Sequence, residues 1–197
     1  MSPRPYQAGE QRRAATEATR SRIVEAARDL LADPEATAFS IDAVAQRADV
    51  ARMTVYYQFK SKGKLLEALF DDFAARANMR AMQNVFRESD AHLALGLLVD
   101  VFCNLWKSQG PIVRRLNAMA VLDPEVDRAL QERSSWRRDA IAQLVARVRR
   151  GRKAGELVDV VNVLTSFETY DALSARHGLK EVAAILRHTV AALVSAS

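Results

Sequence analysis

The sequence predicts an all-α chain, with an N-terminal three-helix helix-turn-helix unit followed by a larger helical domain. Three observations carry that expectation. Glycine and proline are sparse, seven and five in 197 residues. Apolar residues recur at three- and four-residue spacing in most segments, and no stretch alternates as a strand does. Two short helical patterns also meet at Asp49-Val50 with no linker between them, which is the geometry of a helix-turn-helix corner.

Met1 to about Ala18 holds prolines, Gly9, Arg4, Arg12 and Arg13 without apolar periodicity, and reads as a disordered basic arm covering 1–18. Basic arms of this kind can reach phosphates or a minor groove. The first helix is expected from Thr19 to Ala32, with Ile23, Ala26, Ala27, Leu30 and Leu31 as its buried stripe. It stops at Asp33-Pro34, because proline disfavours a helical residue before it.

Ser40 has an N-cap side chain. Ile41, Val44, Ala45 and Ala48 follow at i, i+3, i+4 and i+7, one apolar face. Asp49 tolerates the left-handed backbone of a tight turn better than most non-glycine residues. A second short helix starts near Ala51, with Val55 and Phe59 inward and Arg52, Met53, Thr54, Tyr56, Tyr57 and Lys60 on its other side. Ser61 caps a further segment that carries Lys62 and Lys64 before the apolar run from Leu65.

These residues resemble the TetR/AcrR family of transcriptional regulators. That family's pattern is roughly T-x-x-x-I-A-x-x-A-G-V-S-x-G-T-L-Y-x-H-F-x-x-K-E-x-L. Ser40, Val44-Ala45, Ala48, Val50, Thr54-Val55-Tyr56, Phe59, Lys62 and Leu65 stand in register with it. Asp49, Met53, Gln58 and Gly63 depart from it, where the family has glycine, a small residue, histidine and glutamate. The motif covers about the first third of the chain, and the remainder shares only the family's plan of a variable helical body.

The resemblance implies a DNA-binding domain over 19–64 and a helical regulatory and dimerisation domain over 65–197. It implies that Arg52, Met53, Thr54 and Tyr57 face the major groove. Arginine can donate two hydrogen bonds to guanine, and apolar atoms can touch a thymine methyl. Ser40, Tyr56 and Lys62 match positions that contact phosphate, which fixes register without reading sequence. Lys60 adds charge beside them. The helix after Ser61, expected to Phe73 and as far as Phe86, would link head to body, its shift changing the spacing of two heads on a palindromic operator. The implied partners are double-stranded operator DNA, a second copy of the chain through the last two helices, and a small apolar or amphipathic effector.

Composition is compatible with this. The net charge is +5, with eleven basic and eight acidic residues up to Lys64 and eighteen and sixteen after it. One cysteine, Cys103, excludes an internal disulfide and a multi-cysteine zinc site. No run approaches a membrane span, so a cytoplasmic protein without membrane contact is expected. His92, His177 and His188 are scattered, and no glycine-rich phosphate loop, HExxH or GxSxG is present. The sequence therefore predicts no catalytic residues, no metal site and no cofactor. The alternatives are a regulator of this type governed by a protein partner, and a helical interaction or enzyme scaffold that does not bind DNA.

In the body, the sequence predicts helices over Ala91–Ser108, with Leu93, Leu97, Val101 and Leu105 inward, and over Pro111–Ala120. Others are expected from Pro124 to about Arg150, Val158–Ala175 and Lys180–Ala196. Phe102, Trp106, Met119, Trp136, Phe167, Tyr170 and Asp171 are the candidates for an effector pocket, since aromatic and sulfur-bearing walls with one acid suit an amphipathic ligand.

Overall fold

A computed structural model describes residues 5–36, 38–77 and 81–195, with side chains described from Gly9 onward. Every regular element among them is an α-helix. The chain divides into two compact units, Met1–Asp72 and Phe73–Ser197.

The first unit begins with α1, Pro5–Ala32. This corrects the expected arm: residues 5–18 are helical and run unbroken into the predicted helix, while Met1 to Arg4 lie outside the described residues. Proline suits the first turn. Alanine, glutamine, glutamate and arginine then fill the segment, and all have high helix propensity. Residues 9–18 are exposed, so propagation from the packed half, rather than burial, extends the helix. Ile23, Ala27 and Leu31 form the buried half and pack against α2, Ile41–Arg47.

Ser40 caps α2, its Oγ accepting from the Ala43 N–H at 3.2 Å. Asp49 takes φ 52°, so the chain turns at once into α3, Arg52–Phe59. Val55 and Phe59 are the buried pair of α3. Lys60 is the second residue with a left-handed backbone, φ 67°, and it stops α3. Ser61 Oγ then accepts from the Lys64 N–H at 3.1 Å as α4, Lys62–Arg76, begins. Leu65, Leu66 and Leu69 are fully buried. The unit boundary at Asp72/Phe73 falls within α4. The expected continuation of this helix to Phe86 meets residues 78–80, which lie outside the described residues; a separate helix α5 spans Ala81–Arg87.

The second unit is built around α6, Ala91–Ala120, which packs against α5, α7 (Pro124–Val145), α9 (Phe167–Ser174) and α10 (Leu179–Ser195). Helix α8, Arg152–Leu164, packs on α7 and α10. Asp90 caps α6 through the His92 and Leu93 N–H groups, and Asp123 caps α7 through Glu125 and Val126. Leu95, Leu98, Phe102, Ile141, Leu144, Val161, Val182 and Leu186 are among the residues of one apolar core.

Three expectations for the body are corrected. Helix α6 runs through Pro111 as a single element. Proline there removes one backbone donor and crowds the carbonyl of Lys107, but both residues face solvent, where water can satisfy that carbonyl. Burial of Gln109, Gly110, Ile112, Val113 and Leu116 on the opposite side keeps the axis continuous. The inward stripe of α6 is also shifted by a residue or two. Leu93 is 60% exposed and Leu97 39%, while Ala94, Leu95, Leu98 and Val99 are buried. Finally, the predicted Val158–Ala175 helix is two helices. The Thr165 carbonyl accepts from the Trp106 indole N–H at 2.9 Å, and Ser166 Oγ accepts from the Thr169 N–H, so a new N-cap restarts the chain as α9.

Candidate functional site

The outer surface of α3 is built by exclusion. Val55 and Phe59 turn into the unit, which leaves Arg52, Met53, Tyr57 and Lys60 exposed and Thr54 and Tyr56 half-buried. Met53 and Tyr57 are each 72% exposed, unusually open for large apolar side chains four positions apart on one helix. Isolated apolar residues on a surface need no explanation, but these two lie on one face with charge on either side. The Lys60 ammonium sits 5.1 Å from the Tyr57 ring centre.

Arg52, at the first turn of α3, reaches back to α2. Its Nη1 donates to Asp42 Oδ2 at 2.9 Å, and its Nη2 donates to the Tyr56 hydroxyl at 3.3 Å. The Tyr56 hydroxyl and the Asp42 carboxylate both hold the Arg52 guanidinium above its ordinary pKa. Ser40, at the start of α2, spends its hydroxyl on the helix cap and is half-buried. The Lys62 ammonium rests 5.5 Å over the Phe39 ring.

One contact that sequence reasoning missed is made by Arg20. Its Nη1 donates to the Gln58 carbonyl at 3.0 Å, and its guanidinium lies 4.2 Å over the Phe59 ring. This ties α1 to the end of α3 and satisfies a C-terminal carbonyl that the helix leaves open.

In the body, Phe102, Trp106, Phe167 and Tyr170 come together. Phe102 and Trp106 stack at 5.9 Å, and Phe167 meets Trp106 edge-on at 5.8 Å. The space beside Phe102, Trp106 and Tyr170, bounded also by Cys103, Thr165 and Leu186, is an interstice of about 150 Å³ with no room for a water molecule. As it stands the cluster is a filled core. Burial pushes the Cys103 thiol up to about 11, with Asp100 adding to the rise and Arg187 opposing it, which keeps it protonated and unreactive near neutrality.

The other three candidates lie elsewhere. Met119 and Trp136 are not among the residues that line this space, and Trp136 is 47% exposed. Asp171 pairs with Arg114. Sequence reasoning missed Arg137, which is buried with its guanidinium 5.8 Å from both the Phe102 and Trp106 ring centres. Its Nε donates to Asn162 Oδ1 at 3.0 Å and its Nη2 to Ser134 Oγ at 3.4 Å. Burial lowers its pKa, partly offset by Glu168.

A separate cleft of about 460 Å³ opens between the end of α4, α5 and α6, lined by Arg76, Ala81, Asn84, Leu97, Asp100, Val101 and Asn104, among others. The exposed Leu97 faces it, which gives the misplaced leucine of the predicted stripe a surface role.

Among the described residues no group of three His, Cys, Asp or Glu side chains could hold a metal ion. Among them, no helix is long and apolar enough to cross a membrane.

Residues 23–69 match the family model described as bacterial regulatory proteins, tetR family. No curated protein sequence matches the chain. Solved structures share its fold. The Bacillus subtilis transcriptional regulator FadR, solved in complex with stearoyl-CoA, is 16% identical with a TM-score of 0.65, covering 90% of this chain and 98% of its own. A TetR-like transcriptional regulator from a Rhodococcus species is 17% identical with a TM-score of 0.58, covering 89% and 93%. A regulator of the same class from Aquifex aeolicus is 15% identical with a TM-score of 0.63, covering 87% and 97%. Regulators of this family are transcription factors and not enzymes. With the matched motif on α1–α4 and a fold shared with these solved regulators over most of its length, the chain is similar to the TetR-family transcriptional regulators.

Proposed function

We propose that the protein is a ligand-responsive repressor that binds a palindromic operator as a homodimer. The observation that carries this reading is the outer face of α3, where Arg52, Met53 and Tyr57 stand exposed on a short helix that buries Val55 and Phe59 in its own unit. Arg52 and the apolar atoms of Met53 and Thr54 are suited to base edges, and Tyr57 to the groove wall. In this reading Ser40, Tyr56, Lys60 and Lys62 serve as phosphate contacts.

Dimerisation uses the outer faces of α8 and α10. Val160 and Val163 on α8 and Ile185 on α10 are exposed apolar residues, and the exposed Ala184, Ala191 and Ala192 of α10 permit close helix approach. Two such faces would form a four-helix bundle between subunits, with helices crossing at roughly 20°. Two half-sites about 34 Å apart then require a fixed separation of the two heads.

The effector is a small apolar or amphipathic molecule. One feature supports this, the mixed polar and apolar cleft beside Leu97 and Asn104. The fold relative from Bacillus subtilis was solved with stearoyl-CoA, an amphipathic ligand. Ligand binding favours a body conformation in which the heads no longer match the half-sites. Coupling of ~1–3 kcal/mol suffices for about a 5–150-fold loss of operator affinity.

Selection from random duplex DNA tests the reading, with Arg52→Ala and Tyr56→Phe run beside the parent. The expected product is a palindrome. Arg52→Ala flattens the preference at one position of each half-site. Tyr56→Phe, which removes a phosphate donor and one support of Arg52, weakens binding to all sequences while lowering the preference at that position less than Arg52→Ala does. A pool that shows no enrichment at moderate salt contradicts it.

A further inference from the structure

The pair formed by Asp42 and Arg52 bridges the two helices of the motif at the edge of its candidate DNA face. Asp42 is in the first turn of α2, where a carboxylate is favoured by the helix dipole. Arg52 is the first residue of α3. Side-chain exposures of 62% and 56% mean that the pair is not there to fill a core. A solitary surface ion pair is worth little to stability. What it does fix is the position of a long, otherwise mobile guanidinium.

That position is held from two sides, by Asp42 on Nη1 and by the Tyr56 hydroxyl on Nη2, with the Tyr56 ring centre 5.5 Å away. A guanidinium has five N–H groups, so three remain for another acceptor. The Tyr56 hydroxyl, having accepted from Arg52, keeps its own hydrogen free for a phosphate oxygen.

We infer that Asp42 is a specificity-determining positioning residue, holding Arg52 so that it reads a guanine edge instead of binding the DNA backbone. The inference rests on the reading of α3 as the base-reading helix. Its physical basis is the difference between the two acceptors. Guanine O6 and N7 are neutral, so Arg52 can donate to them and keep its ion pair. A phosphate is an anion, and drawing Arg52 towards it either brings that anion close to Asp42 or leaves the carboxylate unpaired. Asp42 therefore penalises backbone binding more than guanine binding, and discrimination rises even though total affinity need not.

The test uses the full chain, the selected operator duplex, and duplexes carrying each single base-pair change in a half-site. Arg52→Ala identifies the base pair that Arg52 reads. At that pair, Asp42→Asn is expected to reduce discrimination about tenfold, within the range a bidentate arginine–guanine contact supplies. Affinity for unrelated duplex DNA should hold or rise, and Asp42→Glu should retain most of the discrimination. Circular dichroism melting checks that Asp42→Asn is folded. Full discrimination retained by Asp42→Asn overturns the inference, as does an equal loss on every duplex, which is what a merely structural role would give. If Arg52→Ala flattens no position, the base-reading role of α3 fails first, and that failure is distinguishable because Asp42 is then irrelevant.

Discussion

At the residue scale, two positions show how local backbone and buried charge constrain this chain. Asp49 holds φ 52°, a region where a Cβ costs free energy that glycine does not incur. Its side chain is exposed, so nothing offsets that cost through burial. Asp49→Gly is expected to raise stability by up to about 1 kcal/mol, the left-handed cost relieved less the larger backbone entropy glycine loses on folding, readable as a higher urea midpoint with an unchanged slope. Arg137 is the opposite case, a buried cation held by Asn162, Ser134 and two aromatic faces. Removing one partner leaves a desolvated donor without an acceptor. Asn162→Ala should therefore destabilise the protein by ~1–3 kcal/mol, measured by the same denaturation. The sequence made Asp49 legible because its conformation is set by immediate neighbours. Arg137 was not legible: its partners come from three helices, and a lone arginine among RRD residues reads as solvated surface.

At the element scale, the helix-turn-helix was legible because each signal is local. Ser40 caps, Asp49 turns, and Val44, Ala45, Val55 and Phe59 are buried as their spacing predicts. In the body, tertiary contacts override the same kinds of signal. Gly110-Pro111 reads as a stop, yet α6 continues because its far side is buried on both flanks of the proline. Ser166 reads as an ordinary helix residue, yet the chain breaks there because the Trp106 indole, 59 residues away, takes the Thr165 carbonyl. The leucine stripe of α6 was misjudged because Ala91, Ala94 and Ala183, small enough to vanish from a hydrophobic pattern, are buried. Pro111→Ala restores a donor on the solvent side of α6 and removes the crowding at Lys107. It is expected to stabilise the chain by about 1–3 kcal/mol, seen as a higher melting temperature with the helical signal retained.

At the scale of the whole molecule, the two units differ in what their surfaces can do. The first presents α3 with Arg52, Tyr57 and Lys60 outward, beside a helix α1 whose exposed half carries Arg12, Arg13 and Glu17. The second holds an aromatic core, an open cleft, and the exposed valines and alanines of α8 and α10. The proposed function assigns DNA to the first and effector and dimer contacts to the second. Polyanion binding through several cations per head has a direct thermodynamic signature, because each phosphate neutralised releases condensed counterions. The most direct measurement is therefore the affinity of the full chain for its selected duplex as a function of salt concentration. The account predicts a linear fall of log affinity against log salt, with a slope of about −0.9 for each phosphate neutralised and several phosphates per dimer. Lys60→Ala and Lys62→Ala should each make that slope shallower. An affinity that stays flat from low to moderate salt would contradict DNA binding by the α3 face.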